Sequence, residues 1–440
     1  MKIFQVLNHF LPDQTAGTEV YVCALSKQLQ KKGIEVKIII PNYGNAISEL
    51  YIYDGLQVFK FAETSTVDRA LIMGHRDADG LSFFTKFIEE QRPDIVHFHE
   101  LAGSNGISLK HVMAAKKIGA HVLFTFHLAG YSCKTGTLIY KDRNFCNGKI
   151  DINKCGNCYL QHKGYGRLKA LLNPISQLLY LANWDTTKWN SKIGTGLGTS
   201  FLIANQKKNF HLLIDQCDKV IVLTKFFEQV LLLNDVSKAK IKFIPQALAH
   251  SFKKEATKPS VKVGSPLRLM FLGRISSLKG LHLLIDAILD LPKTDVVLDI
   301  YGQTGNVEYE QTLKQKSQHF NNITWCGKLE PRSVLHTMHK YDVLCLCSTI
   351  CEMSPLVIQE AFAAGIPVLA SNVYGNAEQI THGKNGWLFK FNDSNDLREK
   401  ISSLVQNPSL LSEVKKNIGP VKSFETVGEE HQLLYTQILQ

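Results

Sequence analysis

The chain has 440 residues, 45% of them hydrophobic and 20% charged, a packed globular composition long enough for two or three domains. It carries 50 Lys and Arg against 39 Asp and Glu, and residues 101–200 alone hold 13 basic and 3 acidic side chains, nearly the whole formal +11. That localisation argues against a nucleic-acid binder with a uniformly basic surface, and leaves one patch able to attract phosphate on a ligand or a lipid surface.

In chain order, residues 1–7 read as a strand that breaks at Asn8-His9, too short and polar for a signal peptide. Residues 18–32 follow as a helix with Val20, Leu25 and Leu29 on one side and Gly33 ending it. Strands are expected at 36–40, 95–98 and 121–126, with a helix near 106–117 between the last two. Residues 160–215 break this alternation, and 167–182 set Leu168, Leu171, Leu172, Ile175, Leu178 and Leu179 at helical spacing, interrupted by Pro174. Residues 251–266 read as a linker, after which five buried strands are expected at 267–272, 296–301, 323–326, 343–347 and 367–370. No apolar run approaches the ~20 residues of a membrane-spanning helix.

Strands alternating with helices imply right-handed parallel βαβ units. The expected fold class is α/β: two Rossmann-like doubly wound domains facing each other across a cleft. The domains are 1–250, with a basic, cysteine-containing insertion at about 130–215, then 251–423, with a helix at 424–440 packing back on the first. Absence of a leader and of a disulfide framework suggests a cytoplasmic protein, soluble or peripheral on the inner face of a membrane.

The most informative motif runs Glu352-Met-Ser-Pro-Leu-Val-Ile-Gln-Glu360. Ser354 reads as an N-cap and Pro355 as the first helical residue, so a helix begins there and stops near Gly365. The amides of Leu356 and Val357 are then unpaired donors at the positive end of a helix dipole, a site for phosphate. A second cluster adds cations: Gly273-Arg274 at a strand end and Lys279 at the next helix start, placed to neutralise a departing diphosphate.

With Ala16-Gly17-Thr-Glu19-Val-Tyr21, Asp94-Ile-Val-His97-Phe-His99, Thr125-Phe-His127 and Asn385-Gly-Trp-Leu-Phe389, these residues resemble the retaining nucleotide-sugar glycosyltransferases of GT-B architecture, glycosyltransferase family 4. The resemblance covers roughly residues 1–135 and 265–395. It implies that Arg274 and Lys279 bind the donor diphosphate, approached also by the Gly17 loop through backbone amides. Glu360 would hold the ribose, Gly327 and Lys328 would lie near the base, and Leu356 and Val357 would meet phosphate. Glu352 would sit against the donor sugar and His127 would face the reacting sugar, as the catalytic pair, with His99 and Tyr131 on the acceptor side. Two positions depart from the family: Ala16 replaces the first of two glycines, and Leu128 stands where an Asp often follows the histidine.

The implied activity is sugar transfer, with retained configuration, from a UDP- or GDP-sugar to a polyprenyl-linked, oligosaccharide or polysaccharide acceptor in cell-surface glycan biosynthesis. No cofactor is required for such catalysis. Asp77-Ala-Asp79 imitates a metal-binding pair but falls in a polar loop. A nucleotide-sugar epimerase or a glycogen-type synthase on the same architecture is the alternative enzyme, and a non-catalytic membrane- or protein-binding module the alternative class.

Cys133, Cys146, Cys155 and Cys158 fall within 26 residues of a loop rich in Gly, Lys and Asn. Four thiols so spaced are able to hold a structural Zn²⁺; four free thiols, or adventitious disulfides, are the alternatives. Lys134, Lys141, Arg143, Lys149, Lys154, Lys163, Arg167 and Lys169 lead from this cluster into the amphipathic segment. A basic rim beside an apolar stripe suits an anionic membrane surface, against the alternative that the stripe packs on the first domain.

Overall fold

The computed structural model describes residues 1–248 and 265–440, so residues 251–264 of the expected linker lie outside the described residues. Two compact units emerge, one of Met1–Pro245 with Phe424–Gln440, the other of Gln246–Ser423. The second unit therefore begins a few residues before the expected boundary at 250. Leu248 already belongs to it: its amide donates to the Lys422 carbonyl at 3.0 Å and its side chain packs on that unit's core.

In the first unit, β1 (Lys2–Val6), β2 (Glu35–Tyr43), β3 (Glu49–Tyr53), β4 (Leu56–Glu63), β5 (Ile95–Phe98) and β6 (His121–Phe126) precede the insertion. The insertion holds a separate small hairpin, β7 (Ile139–Tyr140) and β8 (Asn144–Phe145), and β9 (Lys219–Val222) and β10 (Ile241–Phe243) follow it. The main sheet runs β10-β9-β6-β5-β1-β2-β4-β3, parallel except for β3, which pairs antiparallel with β4. The β3–β4 hairpin is not among the expected elements, although Asp54 (φ 49°) and Gly55 (φ 81°) form an Asp-Gly turn that favours one.

In the second unit, β11 (Leu267–Leu272), β12 (Val296–Tyr301), β13 (Ile323–Gly327), β14 (Val343–Leu346), β15 (Val368–Ser371) and β16 (Gly386–Phe389) form a fully parallel sheet ordered β13-β12-β11-β14-β15-β16. Alternation along each strand divides its core into two. Leu267, Leu269 and Phe271 enter one layer with Val343 and Cys345, and Met270 enters the other with Leu344 and Leu346. The sixth strand, β16, is the one not counted among the five expected.

The order reverses between β11 and β14 in this sheet, and between β1 and β5 in the first. Open parallel sheets take ligands at such switch points, outside the carboxyl ends of the strands. The 424–440 helix, Phe424–Leu439 in the structure, belongs to the first unit. It approaches the Gly17–Lys31 helix so closely that a Cβ on Gly428 would lie 2.6 Å from the Gln28 Cβ.

Candidate active site

In the second unit, the carboxyl ends of β11 and β14 gather the charged motif residues. The turn Ser277–Lys279 ends at Gly280 (φ +65°), where an added Cβ would lie 1.8 Å from the Cys347 carbonyl, so only glycine lets this turn reach the loop after β14. Thr349 ties the two together, its amide donating to the Leu278 carbonyl and its hydroxyl to the Ser277 carbonyl, both at 3.0 Å. The Lys279 ammonium thereby reaches Glu352 Oε1 at 2.6 Å, and Ser348 Oγ donates to the same oxygen at 2.5 Å. Glu352 is nearly buried, and its backbone is held by Gly375, where a Cβ would come within 1.9 Å of the Glu352 carbonyl.

The helix after this loop is Leu356–Ala363, with Gly365 (φ 71°) just past its end. Its N-cap is Pro355 in extended conformation, one residue later than expected. Ser354 lies at φ +119° instead of the extended conformation of an N-cap, and no side chain caps this helix. Leu356 and Val357 remain the first two helical residues, so their amides face outward unpaired by the helix. Arg274 is exposed at the end of β11 and makes no ion pair among the described residues. Glu360, half-buried on the same helix, has no charged partner there, and burial pushes its carboxyl up to about 7. Gly327 (φ 73°) ends β13 with open space around it, and Lys328 beside it is exposed. The described residues thus leave a cation, two amides and a carboxylate without internal partners around one strand-end face.

The first unit places a different chemistry at its strand ends. His97 and His99, two apart on β5 and just beyond it, point to one side, their rings 4.2 Å apart. His99 Nε2 lies 2.6 Å from Gln5 Oε1, and His99 Nδ1 lies 3.1 Å from His127 Nε2. The Gln5 amide is oriented by its own donation to the Tyr435 hydroxyl at 3.5 Å. An amide oxygen only accepts, so the network assigns the His99 proton to Nε2, which makes Nδ1 the acceptor for His127 Nε2–H. His127 Nδ1 is left with its lone pair and makes no hydrogen bond among the described residues. His97 closes the cluster through Tyr435 and Thr125, each at 2.7 Å, and His431 through the Val427 carbonyl at 2.8 Å and the Tyr21 hydroxyl at 3.2 Å.

Burial, with repulsion among the rings, holds His97 and His99 well below the usual imidazole range, and burial drives His127 down to about 3. His97, His99 and His127 are therefore neutral at neutral pH. His99 is fully buried, contrary to its expected place on the acceptor side, and its ring nitrogens meet Gln5 and His127. Tyr131 also turns inward, its ring against Phe124 and Phe126 and its hydroxyl accepting from the Leu101 amide at 2.9 Å. Gly17 is the first residue of its helix, and a Cβ there would meet nothing within 4 Å. Glu19, buried beside it, accepts from the Ala16 amide at 3.1 Å, and burial raises its carboxyl to about 7.

The sequence motifs include Tyr21 and Thr125 without a role for either, and Gln5, His431 and Tyr435 are missed. The two last lie on the C-terminal helix, more than 300 residues from their partners, where no local pattern pairs them. Ser348, the second donor to Glu352, is missed as well. Asp77 and Asp79 are exposed, and Asp79 accepts from Arg76 at 2.8 Å, as a solvated loop would have it.

Residues 252–419 match the model of "Glycosyl transferases group 1" and residues 15–147 that of "Glycosyltransferase Family 4", together about two thirds of the chain. The chain belongs to the group 1 glycosyltransferases. Its curated relatives include spore coat protein SA of Bacillus subtilis, 29% identical over 160 residues, which are 34% of this chain and 41% of that protein. The match thus spans less than two thirds of that relative's length. The amylovoran biosynthesis glycosyltransferase AmsK of Erwinia amylovora is 23% identical over 308 residues, 67% of this chain and 72% of its own. Among solved structures, Anabaena Alr3699/HepE in complex with UDP superposes with a TM-score of 0.62 at 15% identity, covering 99% of this chain and 100% of that one. The fold of this glycosyltransferase is accordingly of the GT-B type, and its family has members in polysaccharide biosynthesis.

The insertion departs from the strand–helix alternation in two ways. All four of its cysteines line one cavity, yet among the described residues no three His, Cys, Asp or Glu side chains are already gathered to hold an ion. The helix Lys169–Leu181 continues through Pro174 instead of breaking, anchored on both sides of it: Asn173 donates to Asn153 at 2.6 Å, and Ser176 accepts from the Ser200 amide at 2.8 Å. Asn173 and Ser176 are the buried residues of this helix, while Leu171 and Leu178 are 61% and 66% exposed. The side that meets the protein is centred on Asn173 and Ser176, with Leu172, Ile175 and Leu179 half-buried beside them, while Leu168, Leu171, Leu178 and Leu181 face outward. Among the described residues no helix is long and apolar enough to cross a membrane.

Proposed function

We propose that this glycosyltransferase moves a sugar from a UDP- or GDP-sugar onto a lipid-linked or polysaccharide acceptor, with retained anomeric configuration, in cell-surface glycan biosynthesis. The observation that carries the reading is the switch point of the second sheet, where Lys279, Ser348 and Glu352 form one hydrogen-bonded group beside unpaired helix-start amides. As the bond from C1 to the phosphate oxygen breaks, its electron pair passes to the diphosphate. Arg274, Lys279 and the Leu356 and Val357 amides stabilise that charge most when the bond is most broken. The acceptor oxygen bonds to C1 on the same face, and its proton goes to the leaving phosphate oxygen. This arrangement of fixed cations and a helix terminus requires no divalent metal. Glu352 orders the sugar hydroxyls, Glu360 accepts from the ribose, and His127 offers Nδ1 as a hydrogen-bond acceptor to a sugar hydroxyl.

The UDP complex of a protein with the same fold and the polysaccharide role of AmsK support the donor and acceptor classes. A peripheral place on an anionic membrane is supported by the outward Leu171 and Leu178, with Leu168, Leu181 and Trp184 exposed nearby, in the stretch that carries the chain's positive charge. A thermal-shift screen of UDP- and GDP-sugars tests the donor: saturation at about 100 times Kd should stabilise the fold by about 2.7 kcal/mol. No shift with any member of the panel, at concentrations that shift a known relative, would sink the reading. For the membrane, flotation with anionic liposomes at low salt is expected, and a Leu171→Ser, Leu178→Ser double variant should lose it while keeping its secondary structure; failure of the parent to float removes this part.

A further inference from the structure

The geometry points to a structural zinc site of four thiolates in the insertion, formed by Cys133, Cys146, Cys155 and Cys158. These residues come from three separate pieces of chain. Cys133 follows the short turn Ala129–Tyr131, Cys146 follows β8, and Cys155 and Cys158 lie three apart on the helix Ile152–His162, where that spacing puts both on one face. The fold nevertheless brings all four to the wall of one partly open cavity, whose space of about 20 Å³ suits a single small ion or water.

Packing does not account for them. Cys23, Cys217, Cys345, Cys347 and Cys351 are buried as core cysteines are, whereas these four are half-buried, a state shared only by the isolated Cys326, and none of the four is in a disulfide. They share the cavity wall with Lys134, Lys149 and Lys154, and no carboxylate lines it. A zinc ion in four thiolates carries a net charge of about −2, so three ammonium groups around it are the complement that such a centre lacks within its own ligands. The Lys141 amide already donates to Cys158 Sγ at 3.3 Å, the outer hydrogen bond that orients a thiolate ligand.

As placed, the sulfurs are engaged with protein oxygens: Cys158 donates to the Ile139 carbonyl at 3.6 Å, Cys155 to the Lys149 carbonyl at 3.9 Å, and Cys133 meets the Thr135 hydroxyl at 3.3 Å. Those weak contacts belong to protonated thiols, and they explain why no ready-made ion cage stands there. A cysteine sulfur moves with one side-chain torsion among three staggered positions, so ligation calls for rotamer changes at residues that already line the cavity. Binding Zn²⁺ then releases four thiol protons and forms four sulfur–zinc bonds, with no change of oxidation state and no open coordination position, hence no catalytic role. The ion would clamp the segment that leaves β6 six residues after His127, joining it to the hairpin and the helix.

The test uses the full chain, purified without a histidine tag. Plasma emission should find about one zinc per chain, resistant to dialysis, and the Cys155→Ser, Cys158→Ser double variant should fall below about one tenth of an equivalent. If that variant does not fold, the parent reconstituted with Co²⁺ should show the visible absorption of tetrahedral cobalt thiolate. Below about one tenth of an equivalent of zinc in the parent, iron with labile sulfide in its place, full zinc retained by the double variant, or no tetrahedral cobalt spectrum each overturns the proposal. Metal content is independent of donor binding, so the glycosyltransferase reading stands or falls separately.

Discussion

The two sheets of this glycosyltransferase meet their switch points with opposite chemistry. At the second, Arg274 and Lys279 are cations within reach of solvent, with Glu352 buried against Lys279 and Glu360 half-buried; at the first, His97, His99 and His127 are neutral rings packed among Gln5, Thr125, Tyr21 and Tyr435. The difference follows from the task. Holding a diphosphate calls for fixed charge that keeps most of its hydration until the ligand arrives, because burying unpaired charge costs far more than the ligand returns. Presenting one oriented lone pair, by contrast, calls for a tautomer defined by neighbours and shielded from competing water.

The largest expected effect tests this contrast through acid. The folded pKa values of His97, His99, His127 and His111 lie below the unfolded value near 6.5. Their contribution is therefore complete above that value and lost as pH falls below it, because unfolding takes up their protons. With four such groups the first unit should lose on the order of 4–5 kcal/mol per pH unit once pH is below about 4.5; between about 4.5 and 6.5 the carboxyls of Glu19, Glu63 and Glu100, raised by burial, oppose that loss. Hydrogen exchange resolved by peptide should show the first unit opening at higher pH than the second; simultaneous opening would break the comparison.

Next in size, Glu352→Ala removes the sugar contact and leaves Lys279 without its partner. Turnover should fall about 10²–10³-fold, and near-normal turnover would remove the site assignment. His99→Phe frees the proton position on His127 while keeping the ring's volume. It should lower kcat about tenfold with donor KM little changed, and a fall in KM-controlled binding alone would contradict the positioning role. Glu360 makes a smaller difference. Hydroxyl donors favour its charged form, so UDP affinity should rise as pH climbs toward about 7 and level off above it, and Glu360→Gln should flatten that dependence. Smallest in stability is Gly17→Ala. Its Cβ meets nothing in the chain, so the fold should gain up to about 0.5–1 kcal/mol while activity drops, which separates a glycine kept for a ligand from one kept for the fold.

Much of the second unit is legible in its residues alone. Its central strand β14 is an unbroken buried apolar run because both faces of a parallel sheet are covered, and Gly280, Lys279 and Glu352 are tied to elements adjacent in the chain's own βα grammar. The first unit is less so. Its Asp54-Gly55 hairpin carries a local turn signal, whereas the pairing of His97 with Tyr435 and of Tyr21 with His431 has no local signature. The amphipathic stripe of 168–179 specifies a helix, but periodicity alone does not say which side meets the protein. Asn153 and Ser200 decide that by binding Asn173 and Ser176.

By itself, then, the sequence determined the alternation of strand and helix, the two-sheet architecture and the charged residues at the second sheet's strand ends, since side-chain period and helix-start chemistry act over a few residues. Only the tertiary structure decided that Lys279 pairs with Glu352, that His99 reaches His127 from full burial, that the C-terminal helix completes the first unit, and that four scattered cysteines share one cavity. Those outcomes depend on which distant surfaces become neighbours, and that choice is made by the packing of whole elements, not by any stretch of residues read alone.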